Sequence, residues 1–548
     1  MNRFIAILIL LFCIHPIFLL CDDDFVINKS NTYRWLLERK KFDSKMVSKL
    51  SDFRPKTQAS YISPSNIFKI HYDTLGNNVV EAIDRDKNGI PDYIDSVAYY
   101  ADYVYEQMIN IKGLKSPYPE QYGGGSEHYD IYVLDIGNGY RGEAYYGETR
   151  AEYEIFPRKI FPKYTSYIII DNNYSPNDMT ISDDGTNRKY PTYTTTGILG
   201  MKITLAHEFH HAIQFMYGDP NSNMFSLHEA VSVYMENKLF PESKDYLQYI
   251  RSLFKNFPKY AFGDGDATVG YSYGIYFHFL DKYFGDRPIK RMWELVESGL
   301  FQFQALDSAL KEVNTSILDS WLEFISWIYH TGSRTIDGYS FYQARLFPDI
   351  AFVYSTELSL NDVFQLKSQV LPLEIRPIRI IVSTNRIFDT PDTLDFFITH
   401  TDMEKVFNQF MINSEIDLTY PSMEANSKQI CEKQYKASSV SHFRDTAFCR
   451  KGYQTIAVSD AYPMPFSFNS HSTLYIPTPS EIPFGEKVFL QIYNPEMEQV
   501  CFKETTVMVH NSNRVIALNL ERNLFSSGVY FYKVKGRNSL KIGKFVVK

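Results

Sequence analysis

The chain has 548 residues, a formal net charge of -8, 44% hydrophobic and 16% aromatic residues. That length exceeds what one core serves, and the apolar content is ample for two or three domains. The acidic balance, with no basic cluster or nucleic-acid motif to offset it, argues against a nucleic-acid partner. RKKF at Arg39 is too short to matter and reads as a solvated helix face, and the aromatics are spread as packing residues.

Residues 1–21 carry Arg3, then an apolar run from Phe4 to Cys21, and Asp22, Asp23 and Asp24 follow at once. This is the pattern of an export signal. A permanent membrane anchor is the alternative, because the run approaches the lower limit for spanning. A lipid-modified Cys21 is weaker, since Leu20 is bulky where a small residue normally precedes. No second long apolar run occurs, so the mature protein is expected to have no integral span and to work outside the cell or at its surface. Residues 22–62 form a polar, partly helical lead-in, either a propeptide or a segment that packs on the next domain.

From 63 to 345 the pattern mixes strands (YDIYVLDI, SYIIIDNN) with long helices, including stretches near Tyr273 to Tyr283 and Ser320 to Tyr329, which predicts an α+β domain. DRDKNGIPDYID offers Asp84, Asp86 and Asn88 at positions 1, 3 and 5 of an EF-hand-like loop, Gly89 at the turn, the Ile90 carbonyl at 7, Asp92 at 9 and Asp95 at 12. Every position of a calcium cage is filled. Asp95 replaces the usual longer glutamate, and no clear helix precedes the loop, so binding is expected to be weaker or differently closed. The bland reading is a solvated acidic turn. A structural calcium here would pin the segment before a helix predicted from Ser96 to Ile111.

HEFHH at 207–211 sets two histidines four apart with a glutamate after the first. On a helix, His207 and His211 then leave one face together and can converge on a zinc ion, while Glu208 stays within reach of the water that such a metal activates. Between Met201 and Met216 the apolar positions Leu205, Phe209, Ala212, Ile213 and Met216 share the nearly opposite face. Two core histidines would be expected among those apolar residues instead.

A catalytic zinc takes three protein ligands and keeps one position open. SLHEAVSVYMENKLF, Ser226 to Phe240, reads as a second amphipathic helix with Leu227, Ala230, Val231 and Tyr234 on one side and Glu229 with Glu236 on the other. Glu229 follows His211 by 18 residues, with the turn-rich YGDPNSN between, and is the expected third ligand. His228 and Glu236 compete. His228 points away from the face of Glu229, and Glu236 lies two turns on, better placed to orient a ligand. His210 departs from the arc of the other two histidines and reads as a bystander. A metzincin would need Gly and His where Gln214 and Tyr217 stand.

HExxH followed by a glutamate on a second helix resembles the gluzincin metallopeptidases. Within that group the chain is similar to a family of secreted bacterial zinc peptidases assigned by motif, over roughly Asn66 to Pro348. The matching segments are FKIHYDTLGNN, DRDKNGIPDYIDSVA, YDIYVLDIGNGY, HEFHHAIQFMY with LHEAVSVYME, YSYGIYFHFLDKYFG and FISWIYHTGSR, in that order. The resemblance implies a thermolysin-like zinc site that hydrolyses peptide or protein substrates, with Glu208 as the base that takes the water's proton and passes it to the leaving amine. It also implies an oxyanion donor. Gluzincin aminopeptidases place a tyrosine three residues before a glycine, and Tyr271 before Gly274 resembles that arrangement, with Tyr273 as its neighbour in contention.

Beyond 345 the helical period fades. LEIRPIRIIVST, DTLDFFITH and YQTIAVSD alternate with turn residues over 346–475, for which a β-sandwich is the simplest architecture. Of the cysteines after the leader, Cys431 and Cys449 could close a disulfide with Cys501 left buried, or all three could stay reduced. Residues 476–548 read as a small all-β module whose ending, SSGVYFYKVKG with GKFVVK, resembles the C-terminal sorting domains of the type IX secretion system, which implies bacterial secretion machinery as a partner.

Two function classes follow, a secreted zinc metallopeptidase and a cell-surface binding or adhesion protein whose zinc site is structural or silent. The intact Glu208 favours the first, and no further His or Cys suggests a filled fourth position.

Overall fold

The computed structural model describes residues 28–34, 36, 54–118, 126–138, 144–155, 161–181, 187–218, 225–250, 261–264, 266–329, 331–332, 335 and 343–347. Further on it describes the segments 357–359, 364–366, 371–381, 393–399, 410–413, 428–430 and 439–444, then 461–548 except 480–481, 483–484, 511–512 and 537–539. The leader 1–21, RKKF, Cys431, Cys449 and YQTIAVSD lie outside these residues.

The chain is mixed α/β with several sheets. The sheet that positions the site has six strands: β1 (Asn28–Ser30), β2 (Ala59–Ile62), β3 (Phe68–Tyr72), β4 (Tyr129–Leu134), β5 (Tyr145–Ile155) and β6 (Lys163–Asp171), in the order β1-β5-β6-β4-β3-β2. β2 and β3 form an antiparallel pair, β3, β4 and β6 run parallel, β5 returns antiparallel on β6, and β1 lies parallel along the outside of β5. Alternation sends Phe68, Ile70, Ile131, Val133, Ile168 and Ile170 into the main core. The opposite face carries Tyr132, Tyr167 and Ile169. Over it lies Arg54, its guanidinium bridging Asp130 and Glu152, each at 2.5 Å, and resting on the Tyr167 ring. Burying that cation is tolerable because two carboxylates receive it.

Helix α1 (Asp92–Tyr105) buries Ile94, Val97, Ala98, Ala101 and Val104, a stripe at helical spacing, and continues as a π-helical segment, Glu106–Ile111. It begins four residues before the predicted Ser96, so Asp92 and Asp95 sit in its first turn, where the partial positive charge of a helix start favours carboxylates. Helix α2 (Gly197–Tyr217) carries HEFHH and packs on β5, β6 and α1. α3 (Phe225–Leu239) folds back on α2, and α4 (Ala267–Phe284) lies against α3. α5 (Arg287–Glu297), α6 (Gln302–Lys311) and α7 (Ile317–Tyr329) complete the helical layer.

The amphipathic pattern expected for α2 and α3 does not hold in the structure. Both helices are buried along most of their length, Ile198 and Lys238 being exposed, and His207, Glu208, His210, His211, His228 and Glu229 are each 0% exposed. The polar faces meet α3, α4 and the N-terminal segment instead of water.

The contact between α3 and α4 depends on two glycines one turn apart. A Cβ on Gly270 would stand 2.3 Å from the Ser226 carbonyl oxygen and 2.8 Å from Glu229 Cβ, and one on Gly274 would stand 2.8 Å from Val233 Cγ1. Without side chains there, the backbones approach and Tyr271 is brought beside His207.

Beyond 345, the strands Phe364–Leu366, Phe410–Asn413 and Lys428–Ile430 form a three-stranded sheet. Glu357–Ser359, Arg376–Ile381, Thr393–Thr399 and Ser439–Arg444 form a four-stranded one. The C-terminal module again has a three-stranded and a four-stranded sheet, around its own core of Phe466, Leu474, Ile476, Val488, Leu490, Ile492, Tyr532, Val534 and Phe545. That core reaches back to Ala461. Cys501 is half-buried at its edge, against the alternative that left it fully buried. Arg514 lies 3.9 Å from Glu323 of α7, where the module meets the helical layer. Among the described residues, no helix is long and apolar enough to cross a membrane.

Candidate metal centre

α2 presents His207 and His211 one turn apart, and α3 lays Glu229 across them. His207 Nε2 and His211 Nε2 are 3.0 Å apart, and Glu229 Oε2 stands 2.9 Å from the first and 3.3 Å from the second. Ligand atoms about 2.05 Å from a tetrahedral ion lie roughly 3.3 Å from one another, so the three atoms have the spacing of one coordination shell. They form one of two groups among the described residues with metal-ligand spacing.

The outer nitrogens fix the chemistry of the inner ones. His207 Nδ1 faces Glu236 Oε1 at 2.7 Å, and His211 Nδ1 faces Gln214 Oε1 at 2.8 Å. An oxygen acceptor facing Nδ1 keeps the ring proton on that nitrogen, which donates to it, and leaves the Nε2 lone pair pointing inward. With both rings neutral, two lone pairs and a carboxylate oxygen converge, which is the arrangement a cation resolves. Glu229 Oε1 is buried with no hydrogen-bond partner, a further sign of unmet acceptor capacity. Burial depresses the His207 pKa, but Glu229 and Glu236 outweigh it and lift the imidazole to about 10. Without an ion, the pocket draws a proton to supply the positive charge. Burial alone would raise Glu229, yet His211 and His207 together bring it below its ordinary value.

Glu208 stands outside this tripod. Its Oε2 accepts from the hydroxyls of Thr149 at 2.7 Å and Thr32 at 3.0 Å, while Oε1 is buried with no partner. Burial raises its pKa, with His207 and His211 opposing, which suits a group that must take and return a proton.

The other candidates separate cleanly. His210 turns to Ser232 Oγ at 2.9 Å, and burial and the neighbouring imidazoles hold it well below the usual histidine range. His228 packs edge-on to Trp293 with ring centres 4.8 Å apart, its Nδ1 facing Gln214 Oε1 at 3.1 Å. Tyr271 lies beside the tripod, its ring centre 6.3 Å from that of His207, and its hydroxyl meets the backbone of Ser30. Burial and Glu229 push its pKa up, so the hydroxyl remains a donor. Tyr273 is stacked on Phe262 at 4.6 Å and packs near Trp321 at 5.5 Å, inside the core.

Several residues were not singled out from sequence. Gln214 connects His211, His228 and Tyr33, and donates its amide to the His228 carbonyl at 2.9 Å. Lys29 is wholly buried between Asp245 at 2.5 Å and Glu236 at 3.0 Å. Thr149 holds Glu208 from β5. Only Gln214 had a local signal, three residues after His211; the others come from segments far away in the chain.

The acidic loop brings together the carboxylates of Asp84, Asp86 and Asp92 with mutual approach within 4.8 Å. Asn88 and Asp95 are engaged differently: Asn88 Nδ2 donates to Asp86 Oδ2 at 3.1 Å and Asp95 Oδ2 at 3.0 Å, and Asn88 Oδ1 accepts from the Ile90 amide at 2.7 Å. Asp92 is paired with Arg85 at 2.9 Å. Burial and the surrounding Asp86, Asp84 and Asp92 raise the Asp95 pKa.

No family model matches the chain, and no curated protein matches it significantly.

Proposed function

We propose that the chain is a secreted zinc metallopeptidase of the gluzincin type, with a thermolysin-like α+β domain over 63–345 and sandwich-like β domains after it. His207, His211 and Glu229 hold the zinc. The observation that carries this reading is the convergence of three acceptor atoms, with Glu208 outside them and one of its oxygens unengaged. A zinc ion held there would supply Lewis acidity, polarising a peptide carbonyl and lowering the pKa of water. Glu208 accepts the water's proton and delivers it to the leaving amine, a role its raised pKa fits. Glu236 and Gln214 hold the imidazole rings in orientation. Tyr271, a buried hydroxyl donor beside the tripod, stabilises the developing oxyanion. In the same reading the acidic loop holds a structural calcium, and the C-terminal module serves sorting through the type IX machinery.

One observation favours the alternative, a surface binding protein with a structural or silent zinc: the site is closed to solvent, with Glu208, Glu229, His207 and His211 all 0% exposed. Zinc content and peptide-library digestion, compared for the parent and Glu208→Gln after residues 28–36 have been cut free and removed, separate the two. Zinc retained in both with cleavage lost in the variant supports the peptidase. A zinc-free parent, or cleavage that survives Glu208→Gln, overturns it.

A further inference from the structure

What closes the site is the chain's own N-terminal segment. β1 lies parallel along the outer edge of β5, pairing Asn28 with Tyr145 and Ser30 with Gly147, and the Asn31 amide donates to the Gly147 carbonyl at 3.2 Å. The chain then crosses the centre. The Thr32 hydroxyl donates to Glu208 Oε2 at 3.0 Å. Tyr33 sets its hydroxyl 3.3 Å from His211 Nδ1, donates to Gln214 Oε1 at 3.0 Å and stacks on Phe225 at 4.2 Å. The Ser30 carbonyl accepts from the Tyr271 hydroxyl at 3.3 Å, the donor that a substrate carbonyl would need.

These contacts are of two kinds. The β5 edge offers backbone donors and acceptors, which any extended peptide can satisfy. The Lys29 socket is selective: Asp245 at 2.5 Å, Glu236 at 3.0 Å and the Tyr146 ring 4.0 Å below the ammonium form a closed anionic pocket, and its occupant is 0% exposed. An apolar side chain placed there would leave both carboxylates buried without their cation.

We propose that the groove between the β5 edge and the α2–α3–α4 helices is a binding site for extended polypeptides bearing a basic side chain, and that residues 28–33 occupy it in cis. Lys29 fills the selective pocket, and the segment keeps peptide from the metal centre until it is displaced. The inference deepens the peptidase reading and rests on it for the consequence, though not for the groove itself.

The test uses the full chain with the recognition sequence of a specific protease inserted between residues 40 and 50, cut after folding, with the released N-terminal piece removed. The probe is a fluorescent peptide, FVINKSNTYRWL, copied from residues 25–36. The cut protein is expected to bind it on the order of a hundredfold more tightly than the uncut chain, and a peptide with methionine in place of the lysine on the order of a hundredfold more weakly. A second arm needs no cutting: Lys29→Met in the uncut chain frees the segment and raises probe binding. Equal binding by cut and uncut protein, or equal binding of the two peptides, overturns the proposal. Tight, lysine-dependent binding by a cut protein that hydrolyses no peptide upholds the groove and removes the peptidase reading.

Discussion

Glu236 Oε1 lies 2.7 Å from His207 Nδ1, and its other carboxylate oxygen lies 3.0 Å from the Lys29 ammonium. One side chain therefore orients the His207 imidazole and forms part of the pocket around Lys29. Its position two helical turns beyond Glu229 makes this possible, since α3 then presents both carboxylates toward α2.

Replacing Glu236 with glutamine keeps the shape and a hydrogen bond to Nδ1 while removing the charge. Zinc affinity is expected to fall about 10–100-fold, as is usual when the partner of a ligating imidazole is altered. A competition titration against a chromophoric chelator measures it, and an unchanged affinity would remove Glu236 from the metal centre.

The approach of α4 to α3 predicts a second effect. Gly270→Ala places a methyl group 2.3 Å from the Ser226 carbonyl oxygen and 2.8 Å from Glu229 Cβ, and both neighbours are core backbone or a stem held by the tripod. The expected cost is about 1–3 kcal/mol, typical of overpacking, with zinc affinity reduced because Glu229 is displaced. Denaturant unfolding with and without chelator reads both; a variant as stable as the parent would mean that the helices separate freely there.

How much of this was legible depended on how far apart in the chain the partners lie. The His207–His211 spacing, the return of Glu229 and the orienting place of Glu236 follow from helical periodicity over 30 residues, and the structure brings these groups together. β5 escaped because YYGETRAEYEI reads as polar: Glu152 is buried against Arg54, 98 positions away, and Glu148 pairs with Arg150 on the same strand. The N-terminal occupant escaped for the same reason. Thr32 meets Glu208 across 176 residues, and no local pattern marks such a pairing. The amphipathic reading of α2 failed physically because its histidine face is covered by other protein, so polarity there did not mark a surface.

The acidic loop makes a third prediction. Three carboxylates lie within 4.8 Å of one another, Asp92 also pairing with Arg85, and burial together with Asp86, Asp84 and Asp92 raises the Asp95 pKa. For a site with affinity of about 0.1–1 mM, common in extracellular calcium modules, roughly 10 mM calcium should stabilise the fold by about 2 kcal/mol through mass action. Thermal melting with and without calcium should show the increase in the parent and none in Asp86→Asn. Identical curves for the parent in both buffers would leave the loop a solvated turn.

His278, on α4, gives the pH dependence a sign. Its ring is 7% exposed and packs between Tyr234 and Tyr246 at 5.1 and 5.4 Å; burial, with the Lys238 ammonium adding to it, lowers its pKa from an ordinary 6.5 to about 3. The unfolded chain takes up a proton as pH falls through 6.5 while the folded chain does not, so this histidine's contribution is intact above 6.5 and is lost as pH falls toward 3. Between pH 7 and pH 5 the loss amounts to about 2 kcal/mol. Other groups titrate over the same range, so the quantity to compare is the difference in pH dependence between the parent and His278→Leu, which keeps a similar volume. The variant should lose about 2 kcal/mol less stability over those two pH units in urea unfolding, whatever its stability at pH 7. Parallel pH profiles would show that the folded state accepts a proton at His278 as readily as the unfolded chain does.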